Sequence, residues 1–159
     1  MTGEHKVYNL EIKGAHNYYV SKNGILVHNA GKCGPTLPFL EKEMHKSITK
    51  NDKNVVYFMP SQPAKGGKPY FGKTETGINE RYKSSASEKA AAIPLMKDVP
   101  TDIIKGVEQQ LINLNGGTKG GKLANSRNPG NKHTDMMEKA EEWLNKNYEN
   151  WKEDFKIIE

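Results

Sequence analysis

The sequence predicts an α+β protein, and three observations carry that prediction. Residues 54–60, "NVVYFMP", and 70–74, "YFGKT", are short runs of β-branched and aromatic residues separated by the turn-forming "SQPAKGGKP". Residues 101–115 place Ile104, Val107, Leu111 and Leu114 at the spacing of one helix face. A second stripe, Met137, Ala140, Leu144, Tyr148, Trp151 and Phe155, predicts a C-terminal amphipathic helix.

Each element has its own local reason. Val7 to Ile12 alternates, and Asn23-Gly24 suits a tight turn before Ile25-Leu26-Val27, so residues 7–28 read as two or three short strands ending in a hairpin. The small residues of "AGKCGPT" mark a boundary, and residues 31–50 read as a linker with a short helix presenting Leu40, Met44 and Ile48 on one face. "VVYFM" reads as a buried strand, paired with "YFGKT" through a long Gly/Pro loop. A short helix follows over 76–83. The helix at 101–115 begins after Pro100 with Thr101 as N-cap and stops at Gly116-Gly117. Residues 116–133 form a loop carrying Lys119, Lys122, Arg127 and Lys132 and no acidic residue.

The chain has 159 residues, 35% hydrophobic, with a formal net charge of +5. That length holds one ordinary domain and a short appendage. The basic balance favours a polyanion or an acidic protein as partner. Cys33 is the only cysteine, which excludes an intrachain disulfide and a CxxC metal site. No apolar run approaches a membrane span, and "MTGEHKVYNL" has no signal-peptide core, so export is expected to be arranged by something else.

The candidate chemistry lies in the second half. Glu108 borders the apolar stripe of its helix, with Ile104 a turn before it and Ile112 a turn after. A carboxylate there needs compensation, either from a metal ion or by leaning outward to water or Lys105. Arg81 is suited to a bidentate grip on phosphate or to a plain surface charge. Tyr57 and Tyr70 read as sheet residues or, with cations nearby, as groups that orient or deprotonate water. Taken singly, each has an ordinary explanation.

Their order is more informative. "VVYF" (55–58), "YFGKT" (70–74), "INERY" (78–82) and "EQQLINLNGG" (108–117) together resemble the GIY-YIG nuclease family, also called the URI fold, over roughly residues 53–118. Only the tyrosine of the first motif survives; Val55 and Val56 replace its glycine and isoleucine. The resemblance implies a short, mostly antiparallel three-stranded sheet flanked by helices, and hydrolysis of a phosphodiester. It assigns Tyr57, Tyr70, Arg81 and Glu108 to catalysis, with Glu108 holding a single Mg2+ or Mn2+. Gly72, permitting close backbone approach, and Lys73 are then substrate-binding, joined by Lys119, Lys122 and Arg127 from the basic loop. DNA is the expected substrate; an RNase on the same site and a non-catalytic nucleic-acid-binding domain are the alternatives.

Residues 1–30 contain a second resemblance. "VYNLEIKGAHNYYVSKNGILVHNA" looks like the C-terminal end of a HINT (intein-like) domain, its specific element being His28-Asn29. There the asparagine cyclises and breaks the chain, assisted by the histidine. The opening half of such a domain, with its nucleophilic cysteine, is missing, and Ala30 lacks the nucleophile that splicing requires. The two pieces together imply a toxin cassette of interbacterial competition: residues 51–159 as nuclease, delivered within a larger toxin, acting in a recipient's cytoplasm and held in check by a cognate immunity protein.

Overall fold

The computed structural model describes residues 17–20 and 25–28 as paired backbone and residues 34–130 and 132–158 in full. The chain divides into two compact units, Met1–Cys33 and Gly34–Glu159. In the first, β1 (Asn17–Val20) pairs antiparallel with β2 (Ile25–His28), the expected hairpin. The strand expected at Val7–Ile12, the Asn23-Gly24 turn and Asn29 lie outside the described residues.

The second unit is α+β. Its three-stranded antiparallel sheet has the central strand β3 (Val55–Met59) flanked by β4 (Tyr70–Thr74) and β5 (Ile93–Met96). All five residues of β3 are buried, because both faces of the sheet are covered. Val56 and Phe58 join the main core with Phe39, Phe71, Leu95, Val107, Leu111 and Phe155. Val55, Tyr57 and Met59 meet Ile78, Tyr82 and Ala92 on the other face. That second face is covered by α2 (Ile78–Arg81) and α3 (Ala86–Ala91), each short. Pro94 pairs opposite Tyr57 from the edge strand β5, where a proline is tolerated, and the register shifts between Val56 and Tyr57.

The main face is covered by α4 (Ile104–Leu114), which buries Ile104, Val107, Leu111 and Ile112 completely. Its Gly106 lets α5 (Thr134–Asn147) approach closely, since a Cβ there would lie 2.9 Å from the Ala140 Cβ. Helix α4 starts later than expected: Thr101 does not cap it, and the Pro100 carbonyl instead accepts from the Ile103 and Ile104 amides. The expected C-terminal helix is interrupted. After α5 the chain turns at Tyr148 and resumes as α6 (Trp151–Asp154). Trp151 and Phe155 are nevertheless buried, and Trp143 and Tyr148 pack against the same cluster.

Residues 34–50 are not a linker. Leu37, Phe39 and Ile48 enter the core, through a 3-10 turn at Pro38–Glu41 and the single turn α1 (Glu43–Lys46). Lys42 is extended between them, so Leu40, Met44 and Ile48 share no helix face and Met44 is 51% exposed. Thr36 forms a two-bond antiparallel bridge with Ile158, both bonds 3.0 Å, and Lys42 pairs with Asp154 at 2.6 Å. Among the described residues no helix is long and apolar enough to cross a membrane.

Candidate functional site

The site is built outward from the β3–β4 ladder. Tyr57 and Gly72 are register partners, so their Cα atoms face the same side of the sheet. The Tyr57 ring lies across Gly72: a Cβ at residue 72 would sit 2.7 Å from Cε2 and nearer still to Cζ and Oη. Gly72 therefore serves the tyrosine behind the site, and its expected role as a close approach for substrate is corrected. Tyr57 is fully buried, and its hydroxyl shares a 2.7 Å hydrogen bond with that of Tyr82. Burial first, and that hydrogen bond second, push the Tyr57 pKa far above its ordinary value. A phenol so placed stays protonated and meets no solvent.

Tyr70 stands in front of it, with ring centroids 6.3 Å apart. It is half-buried, and burial together with the negative charge of Glu108 pushes its pKa up to about 12. Tyr70 lines a cleft of about 370 Å³ with Arg81, Glu108 and Arg127. Arg81 ends α2, its guanidinium 5.6 Å from the Tyr82 ring centre. Glu108 comes from the middle of α4 and is only 8% exposed. Burial pushes its pKa up to about 7, against the opposing charges of Lys73, Arg81 and Lys105. The fold thus brings four of the expected residues, from four separate stretches of chain, to one cavity.

The others lie elsewhere. Lys73 pairs with Glu75 at 2.9 Å and acts on Glu108 only through its charge. Lys122 lines a different depression, beside Pro69, Leu114 and Lys156. Lys119 lines neither. His28 ends β2 in the first unit.

Sequence reasoning missed the residues that fix the basic loop. Asn125, 6% exposed, accepts from the Phe71 amide at 3.0 Å and donates to the Phe71 carbonyl at 2.7 Å, imitating one more strand at the edge of β4. Ala124 adds an amide bond to the Pro69 carbonyl at 2.7 Å. Gln109, fully buried beside Glu108, donates to Asn128 at 3.1 Å and accepts from the Gly130 amide at 3.3 Å. Arg127 is therefore carried on a pinned segment. Lys65, from the β3–β4 connection, also reaches the cleft, its Nζ 5.1 Å from the Tyr70 ring centre. Buried loop amides follow no period, and the only signal for them was Gln109 standing next to a candidate ligand.

The donor set fits a magnesium-like ion. The Glu108 carboxylate has no hydrogen-bond or ion-pair partner among the described residues and faces a polar cavity. No group of three or more His, Cys, Asp or Glu suited to a metal occurs among them. One carboxylate, with the remaining positions left to water and a phosphate oxygen, suits an ion that dehydrates reluctantly. Comparison with protein families, with curated proteins and with solved structures finds no match to the chain.

Proposed function

We propose that residues 34–159 form a metal-dependent endonuclease of the GIY-YIG type, acting on DNA, and that residues 1–30 are the remnant of a HINT domain in a bacterial toxin cassette with a cognate immunity protein. The supporting observation is the cleft in which a buried Glu108, with no hydrogen-bond or ion-pair partner among the described residues, meets Arg81, Arg127 and Tyr70. Lys73, Arg81 and Lys105 offset the cost of burying this carboxylate only in part, and a metal ion would supply further counter-charge.

A bound Mg2+ supplies Lewis-acid stabilisation of charge on the phosphate and the departing 3′-oxygen. The remaining work falls to the chain. Arg81 presents its planar fork to the phosphate oxygens. Tyr70 orients the attacking water through its hydroxyl. Tyr57, sealed behind Gly72 and bonded to Tyr82, holds the Tyr70 side of the cleft in place. Glu108 is the residue that would hold the ion, on the same cleft wall as Arg81.

The test is incubation of the purified chain with plasmid DNA and, separately, total RNA, with magnesium and with chelator. Magnesium-dependent nicking of plasmid, lost in Glu108→Ala, is the expected result. Loss of RNA alone keeps the site and changes the substrate. Nucleic-acid binding without cleavage of either overturns the enzyme reading.

A further inference from the structure

We infer that Lys65 binds a phosphate flanking the scissile one, and that Gln62 is the residue that positions it; both statements rest on the nuclease reading above. The β3–β4 connection is rich in glycine and proline, and such a loop would ordinarily carry a lysine at random. Here Gln62, 3% exposed, organises it. Its amide donates to the Lys68 carbonyl at 2.9 Å, and its carbonyl accepts from the amides of Lys65 and Gly67, both at 3.1 Å. Its side-chain oxygen accepts from the Ala64 amide at 3.0 Å, while its side-chain nitrogen donates to Glu88 of α3 at 3.0 Å. The loop is closed on itself and fastened to a helix.

What this delivers to the cleft is a cation that stands over the Tyr70 ring and has no anionic partner among the described residues. Lys68 donates to the Gly121 carbonyl at 2.8 Å, and Lys73 is paired with Glu75. Lys65 makes no ion pair among the described residues and stands over Tyr70 at the cavity wall. Arg127, on the other pinned loop, is likewise unpaired there. Arg81, with an ion that Glu108 would hold, would suffice for the phosphate under attack. Two further cations on two separate loops match further phosphates of a continuing strand. The ligand class is therefore an internal segment of a polynucleotide, not a mononucleotide or a terminal phosphate.

The experiment uses a short oligonucleotide of whichever nucleic acid the wild type cuts, with the cut position mapped. An uncharged methylphosphonate replaces each flanking phosphate in turn, for wild type, Lys65→Ala and Lys65→Arg. At one flank the wild type is expected to lose roughly three- to tenfold in affinity, the range of a solvent-accessible charged contact. Lys65→Ala should show the same loss on the unmodified strand and no further loss at that flank, with kcat unchanged and a salt slope smaller by about one. Lys65→Arg should restore the sensitivity. Gln62→Ala should raise KM in part and leave kcat alone. If the losses from Lys65→Ala and methylphosphonate add at every flank, or if kcat falls with KM unmoved, the assignment of Lys65 is overturned while the nuclease reading stands. If the wild type cuts no nucleic acid with magnesium present, both fall together.

Discussion

Replacing Glu108 by glutamine keeps the side chain's shape and removes its titration, which isolates the effect of burying a carboxyl group at that point. In the folded chain this group is 8% exposed and its pKa is pushed up to about 7 by burial, the charges of Lys73, Arg81 and Lys105 only partly opposing it. Unfolded, it titrates near its ordinary 4.5. Between those values the folded chain holds a proton that the unfolded chain has lost, so this group's contribution to stability falls as pH rises through that window. The gap corresponds to roughly 3 kcal/mol by pH 8. Urea denaturation without divalent ions should therefore find Glu108→Gln close to wild type near pH 4 and more stable by up to about 3 kcal/mol at pH 8. Magnesium at pH 8 should stabilise the wild type selectively and narrow the difference. An advantage equal at both pH values, or no advantage at pH 8, would refute the claim that the buried carboxylate lacks compensation. An advantage that magnesium leaves unchanged keeps the burial and removes the ion.

Four further outcomes follow from the geometry. Tyr70→Phe should lower cleavage about a hundredfold, whereas Tyr57→Phe should retain it within about tenfold; the reverse ranking in single-turnover rates would make the buried tyrosine the reacting group. Tyr82→Phe removes the bond to the Tyr57 hydroxyl and should cost about 1–3 kcal/mol, as read from denaturation midpoints. Gly72→Ala forces a methyl into the Tyr57 ring and should destabilise by about 1–3 kcal/mol, whereas an unchanged melting temperature would show that the ring yields freely. Asn125→Ala strips two bonds from the Phe71 backbone; it should loosen the 116–130 loop, seen as faster amide exchange at Phe71, with a higher KM and a stable sheet.

Strands β3 and β4 and helix α4 were legible because pattern and punctuation agree there: an apolar run, a Gly/Pro loop, then a helical period ending at two glycines. Strand β5 was hidden by Pro94, which argues against a strand until its edge position is known. The face expected at Leu40, Met44 and Ile48 has helical spacing, yet the chain breaks it at Lys42 and buries Leu37 and Phe39 instead. Tyr70, Arg81 and Glu108 could be gathered only by likeness of their order, since nothing local distinguishes any of them. The true occupation of Gly72 depends on its register opposite Tyr57, a fact of pairing that no single stretch encodes. Gln62 and Asn125 escaped notice for a related reason. An amide in a polar loop looks solvated until the backbone it satisfies is in place.

The bridge between Thr36 and Ile158 gives the second unit a mechanical seam. Its two 3.0 Å bonds, the Lys42–Asp154 pair and the contact of Phe39 with Phe155 join the first and last stretches of this unit along one edge. The unit is thereby closed on itself by a fastening that belongs to neither the three-stranded sheet nor α4.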